Sequence, residues 1–174
     1  MRVPPQSVPH SEAVAGCKKY ALQTASVPGT MRVAMAVSKY NEAITGRLVN
    51  GAVETLNAAG VSSDRIEIAE VPGAFELPLA AHALAGSGRF AAVLCLGAVI
   101  RGETTHDQHI NTAVANGVES VGRQCGIPVL CGLLRCETRG QAEARAGGDV
   151  GNKGDECAKA AIAMMNLLED LPKN

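Results

Sequence analysis

Apolar residues in this chain fall into short runs of strand length, separated by longer stretches in which they recur at helical spacing. RVAMAV (32–37) is a short apolar strand, and SKYN leaves it as an exit loop. Within 41–59, Ile44, Leu48, Val49, Ala52, Val53 and Leu56 make one helical stripe, which Gly60 and the following VSSD stop. RIEIAEV (65–71) alternates as a strand, and PGAFELP turns into a helix over roughly 75–86. FAAVLCLGAVI (90–100) is apolar on both faces, the pattern of a central parallel strand. Thr105 and Gln108 form a T-x-x-Q capping box for a helix whose stripe is Ile110, Val114, Gly117, Val118 and Val121. IPVLCGLL (127–134) is another buried strand, and Thr138 with Gln141 repeats the box for a short helix ending at RAGG. A last helix, about 154–170, turns Cys157, Ala161, Met164, Met165 and Leu168 inward.

Strand and helix thus alternate four times, which predicts one parallel α/β sheet with helices on both faces. Ligands of such sheets sit beyond the carboxyl ends of the strands. Three of the predicted exit loops carry unusual chemistry: SKYN, VPGAFE and IRGETTH. Their shared edge is where a site is expected.

Composition narrows the class. The 174 residues fit one domain, and at 47% hydrophobic and 19% charged they read as globular, with no tract long enough to span a bilayer. Lysine and arginine number 16 against 17 acidic residues, so no general nucleic-acid surface is expected. Aromatics are only 2% of the chain, namely Tyr20, Tyr40, Phe75 and Phe90, too few for a base-stacking platform. The six cysteines form no C-x-x-C pair and lie mostly in apolar segments, which points to free thiols in a reducing cytoplasm and to no metal site. Residues 1–30 have mixed charge, several prolines and no periodic apolar face. They read as a flexible or loosely attached arm with no secretory leader, ahead of a single domain over 31–174.

RGETTH sits where a strand hands over to a helix. The free N–H groups of Gly102, Glu103, Thr104 and Thr105, with the positive end of the helix dipole, suit an anion such as phosphate. A capped helix start without a ligand looks the same, and the Glu103 side chain has to turn away from an anion. His106 falls at the first helical position, where the dipole disfavours imidazolium and keeps a neutral, proton-accepting ring. It is a candidate general base, or a solvated first-turn histidine like its neighbour His109. Arg145 ends a short helix just before AGG, either as a cation complementing the helix C-terminus or as a guanidinium closing on the phosphate. GNKG (151–154) is a second candidate turn of backbone donors. Tyr40 and Phe75 lie in strand-exit loops, where each can stack on a planar heterocycle or cap the core's edge.

Together these stretches resemble the lumazine synthase family of riboflavin biosynthesis. The likeness runs from about Val33 to Leu171 without a gap, and its most specific pieces are VPGAFELP, GAVIRGETTH and RAGGDVGNKG. It implies a flavodoxin-like three-layer sandwich on a four-stranded parallel sheet. It implies pentamers with active sites between neighbouring subunits, small-molecule substrates, and no metal or redox cofactor. The implied reaction condenses a ribitylamino-substituted aminouracil with dihydroxybutanone phosphate, with loss of phosphate and water. By position, Tyr40 matches the aromatic stacking on the pyrimidine. Ala74, Phe75 and Glu76 match the ribityl-chain segment, and Ala98, Val99 and Ile100 the backbone facing the heterocycle. Glu103 and Thr104 match the phosphate-binding turn, and His106 the proton-transfer residue. Arg145 matches the phosphate-binding arginine from the adjacent subunit. The tight turn after Arg145 is compatible with pentamers packing into an icosahedral shell.

Three positions depart from the family pattern. Cys131 stands where the neighbouring subunit usually supplies Phe to the ring clamp. Asp107 replaces the usual aromatic after the histidine, and Gln108 replaces a carboxylate. The resemblance therefore implies an active enzyme with altered affinity for the uracil. Two other readings compete with it: a non-catalytic flavin-binding or shell-forming homologue, and a flavodoxin-like mononucleotide carrier, which the shortage of aromatics disfavours.

Overall fold

The computed structural model describes residues 17–172. Four strands, β1 (Val33–Ser38), β2 (Ile66–Val71), β3 (Ala92–Ile100) and β4 (Val129–Cys136), pair in parallel in the order β2-β1-β3-β4. Between them run α1 (Glu42–Ala58), α2 (Leu77–Gly86) and α3 (His106–Cys125). After β4 come α4 (Arg139–Ala144), the two-stranded hairpin β5 (Ala146–Gly148) and β6 (Gly151–Asn152), and α5 (Lys153–Asp170).

The central strands explain the layers. Alternate side chains of β1 and β3 are buried on both faces, as the runs VAMAVS and AVLCLGA require. Met35, Leu94 and Leu96 pack with Ile44, Leu48, Ala161 and Ile162 of α1 and α5 on one face. Ala34, Ala36, Val93 and Cys95 pack with Leu77, Ala81, Val114 and Val118 of α2 and α3 on the other. The result is the three-layer, flavodoxin-like sandwich expected above, with each fully buried Leu, Ile or Val contributing roughly 1.5–3 kcal/mol. All six cysteines are free, and burial pushes the Cys157 thiol up to about 11 and raises Cys95 further. No helix among the described residues is long and apolar enough to cross a membrane.

Several local expectations need revision. The box at Thr105 does not form: that residue sits at φ −82°, ψ 9°, not the extended backbone a cap needs, and makes no side-chain cap bond. The Thr104 hydroxyl instead accepts from the His106 N–H at 3.4 Å. At the second box Thr138 accepts from Gln141 N–H at 3.2 Å, but the Gln141 side chain reaches Glu137 N–H, one residue early. GNKG is not a set of spare donors, because Asn152 Oδ1 accepts the N–H groups of Gly154 and Asp155 at 2.8 and 3.3 Å. Asn152 also donates to the Arg47 carbonyl at 2.9 Å, so it fastens the start of α5 to α1. Asn152→Ala should cost about 1–2 kcal/mol and lower the melting temperature by several degrees in a thermal unfolding scan.

Residues 1–16 of the expected arm lie outside the described residues. Closer to the domain, Val27 is buried and donates to the Ala59 carbonyl at 3.1 Å, while Asn166 holds the carbonyls of Gln23 and Ser26 at 2.9 and 2.8 Å.

Candidate active site

Parallel pairing brings the carboxyl ends of all four strands to one edge, and the three polar exit segments meet there. The ladder between β1 and β3 stops at Val37–Leu96, while β3 runs on to Ile100 paired only with β4. Beyond Leu96, then, the side of β3 facing β1 presents its backbone to whatever lies beyond the edge. One of these groups is used within the chain: Asn41 Nδ2 donates to the Ala98 carbonyl at 2.9 Å.

Asn41 shapes the first wall. It is the one described non-glycine residue with positive φ (63°), a conformation that Asn tolerates better than most. The left-handed step ends β1, starts α1 and leaves Tyr40 projecting, 72% exposed. The second wall follows β2. Glu76 Oε2 accepts the Gly73 N–H at 3.0 Å and closes a 3-10 turn over Ala74–Glu76, with Phe75 62% exposed at its tip.

The third wall follows β3. Arg101 N–H is still bonded to the Cys136 carbonyl, and Gln108 N–H to Thr105. The N–H groups of Gly102 to Thr105 between them have no backbone acceptor among the described residues, the arrangement an anion needs at a helix N-terminus. His106 opens α3 and is exposed beside this turn.

These walls enclose a cleft of about 460 Å3. Of the residues singled out in the sequence, Tyr40, Ala74, Phe75, Glu76, Ala98, Val99, Ile100, Thr104 and His106 line it. Gly102, read from the sequence as one of the anion-binding N–H donors, lines it too, as do Gly73, Asp107 and Ile110, which had not been named as site residues. Glu103, Cys131 and Arg145 are not among the lining residues. Glu103 is exposed on the turn, and Cys131 is exposed on the edge strand β4 in register with Cys95. Arg145 lies past the end of α4, where its two terminal nitrogens grip Glu156 of α5 at 2.8 and 3.0 Å. Lys153 joins the same carboxylate at 3.2 Å. The Arg145 hydrogen bond holds the Glu156 carboxyl below its ordinary range, with Lys153 helping and burial opposing.

The 6,7-dimethyl-8-ribityllumazine synthase family model matches residues 30–169. The chain belongs to this family. Curated 6,7-dimethyl-8-ribityllumazine synthases from Xanthomonas campestris pv. campestris (strain B100) and Xanthomonas oryzae pv. oryzae (strain PXO99A) are each 48% identical over 145 residues, which is 83% of this chain and 94% of theirs. The match runs from before β1 into the last turn of α5, so all three walls of the cleft fall inside the lumazine synthase region. Asn41 and Glu156 are the contacts that sequence reading passed over. Asn41 had one usable signal, an Asn directly between a strand and a helix. Glu156 had none, since its pairing with Arg145 spans a turn that spacing does not describe.

Proposed function

We propose that this chain condenses 5-amino-6-(D-ribitylamino)uracil with 3,4-dihydroxy-2-butanone 4-phosphate to 6,7-dimethyl-8-ribityllumazine, releasing phosphate and water, at sites shared between neighbouring copies of a homopentamer. The observation that carries this reading is the single cleft in which a projecting aromatic, an open strand edge, a turn of free N–H groups and a histidine meet. In it Tyr40 stacks on the pyrimidine, the β3 backbone reads the ring's edge, and the Ala74–Glu76 turn faces the ribityl chain. The phosphate sits on the N–H groups before α3, with Thr104 and Glu103 framing it. His106 moves protons as the amine adds to the ketone, water leaves to form the imine and phosphate is eliminated; the ribitylamino nitrogen then closes the ring on the remaining carbonyl with loss of a second water. These are proton transfers and eliminations, and they call for no redox cofactor. Much of the acceleration comes from holding two reactants together, a contribution of up to ~7–11 kcal/mol.

Sharing of the site is supported by two residues that do not line the cleft of their own chain. Cys131 lies exposed on the edge strand, and Arg145 is held rigid by Glu156, where it can serve an adjacent copy. Residues 31–174 form the catalytic domain, working in the cytoplasm where the thiols remain reduced.

Mixing purified protein with both substrates and following lumazine absorbance against the uncatalysed background tests the reading. Saturable turnover above background is expected. A folded, assembled protein that binds the product but adds nothing to the background rate would instead be a holding or shell protein. Tyr40→Leu should raise KM for the aminouracil about two- to tenfold through loss of stacking, with a smaller effect on the ketone phosphate.

A further inference from the structure

The cleft contains two carboxylates, and they are in different states. Glu76 is committed to its own turn through the Gly73 N–H. Asp107 is 7% exposed, lines the cleft next to His106, and has Oδ1 buried with no hydrogen-bond partner among the described residues. It heads the inward stripe of α3, which continues through Val114, Val118 and Val121. Asn111, one turn further along, also leaves both side-chain polar atoms buried and unpartnered, so the two side chains do not satisfy each other. Arg101 is held by a 2.8 Å bond to Glu137, and the Asp107 charge supports it only at longer range. An apolar side chain would fill this space without stranding an acceptor. A fold keeps such a group where a ligand supplies the missing donor.

We propose that Asp107 is a specificity-determining residue that accepts a hydrogen bond from the ribitylamino-aminouracil. This rests on the function proposed above. That substrate brings amine, ring N–H and hydroxyl donors, whereas the phosphate of the other substrate presents anionic oxygens that a carboxylate repels. The terminal torsion of an aspartate is soft, so either oxygen can be turned to the cleft when the donor arrives.

Asp107→Leu and Asp107→Asn test this in the full chain. Leu keeps the branched shape at a larger volume and removes both acceptors, while Asn keeps the size and one acceptor. The Leu variant should raise KM for the aminouracil about tenfold or more and leave KM for the ketone phosphate within about twofold. It should also unfold at a higher temperature than the parent, since no stranded carboxylate remains. The Asn variant should recover most of the lost affinity. A fluorescence titration with the lumazine product, which needs no turnover, should rank the proteins in the same order. If both KM values are unchanged, or both rise together with a lower melting temperature, Asp107 is structural and the inference fails. A parent protein that binds product without turnover would overturn the proposed function, and the titration would still decide the role of Asp107.

Discussion

Gly154→Ala is expected to destabilise the domain by about 3 kcal/mol or more, a substitution that elsewhere in a helix would stabilise it by ~1 kcal/mol. Gly154 is buried in the first turn of α5 where that helix crosses α1. A Cβ there would overlap the Leu48 carbonyl oxygen and lie 2.7 Å from its carbon. Both obstacles are backbone, so no rotamer change relieves them, and α5 has to move off α1 as a body. Asn152, one residue before α5 begins, is already fastened to the Arg47 carbonyl and resists that movement. The steric term therefore outweighs the gain in helix propensity. Gly46→Ala is the matched control: Gly46 lies inside α1, and its added Cβ would meet nothing within 4 Å. Thermal unfolding should show the Gly154 variant melting roughly 6–12 °C lower and the Gly46 variant unchanged or slightly higher. Equal behaviour of the two would mean that the helices separate at little cost.

The same crossing shows where sequence reading stops. Leu48 and Ile44 are legible as a stripe because water penalises exposing them at helical spacing. Gly154 reads only as a weak helix former, since nothing in a linear pattern says that another backbone will arrive there. Strands β1 and β3 were legible because their runs are apolar on both faces, and that also fixed the parallel, covered sheet. The hairpin β5–β6 was not, since strands of three and two residues in AGGDVGN are too short for any period to emerge.

The site divides in a similar way. Its walls were legible from three polar exit loops, because parallel topology sends all of them to one edge. The orientation of each wall was not. Tyr40 projects because Asn41 takes a left-handed step, and the turn before α3 keeps its N–H groups open because β3 has ended and the helix has not yet begun there. Both are decided by backbone angles that loop closure imposes on ordinary residue types. Asp107 illustrates the limit most sharply: the sequence marks it as a departure, but only its burial at the cleft wall supports the role proposed for it.

The second large effect concerns the proposal that the site is shared between copies. His106→Ala should lower kcat by about a hundred- to ten-thousandfold, the usual worth of a positioned acid–base group. Arg145→Ala should raise KM for the ketone phosphate by about tenfold or more through loss of a charge-assisted, bidentate donor. It also strips Glu156 of its principal partner and leaves a second like charge near the incoming phosphate. Taken singly, these losses do not reveal whether one chain supplies both residues. Mixed pentamers do. Where His106 and Arg145 come from the same copy, every site in a mixture of the two variants lacks one of them and activity stays low. Where they come from adjacent copies, random assembly of equal amounts gives about a quarter of the interfaces both native residues. Co-refolding the two variants should therefore restore roughly a quarter of native activity with native KM values. A mixture no more active than the average of its parents would rule out the shared site, and would require Arg145 to leave Glu156 and reach the cleft of its own chain.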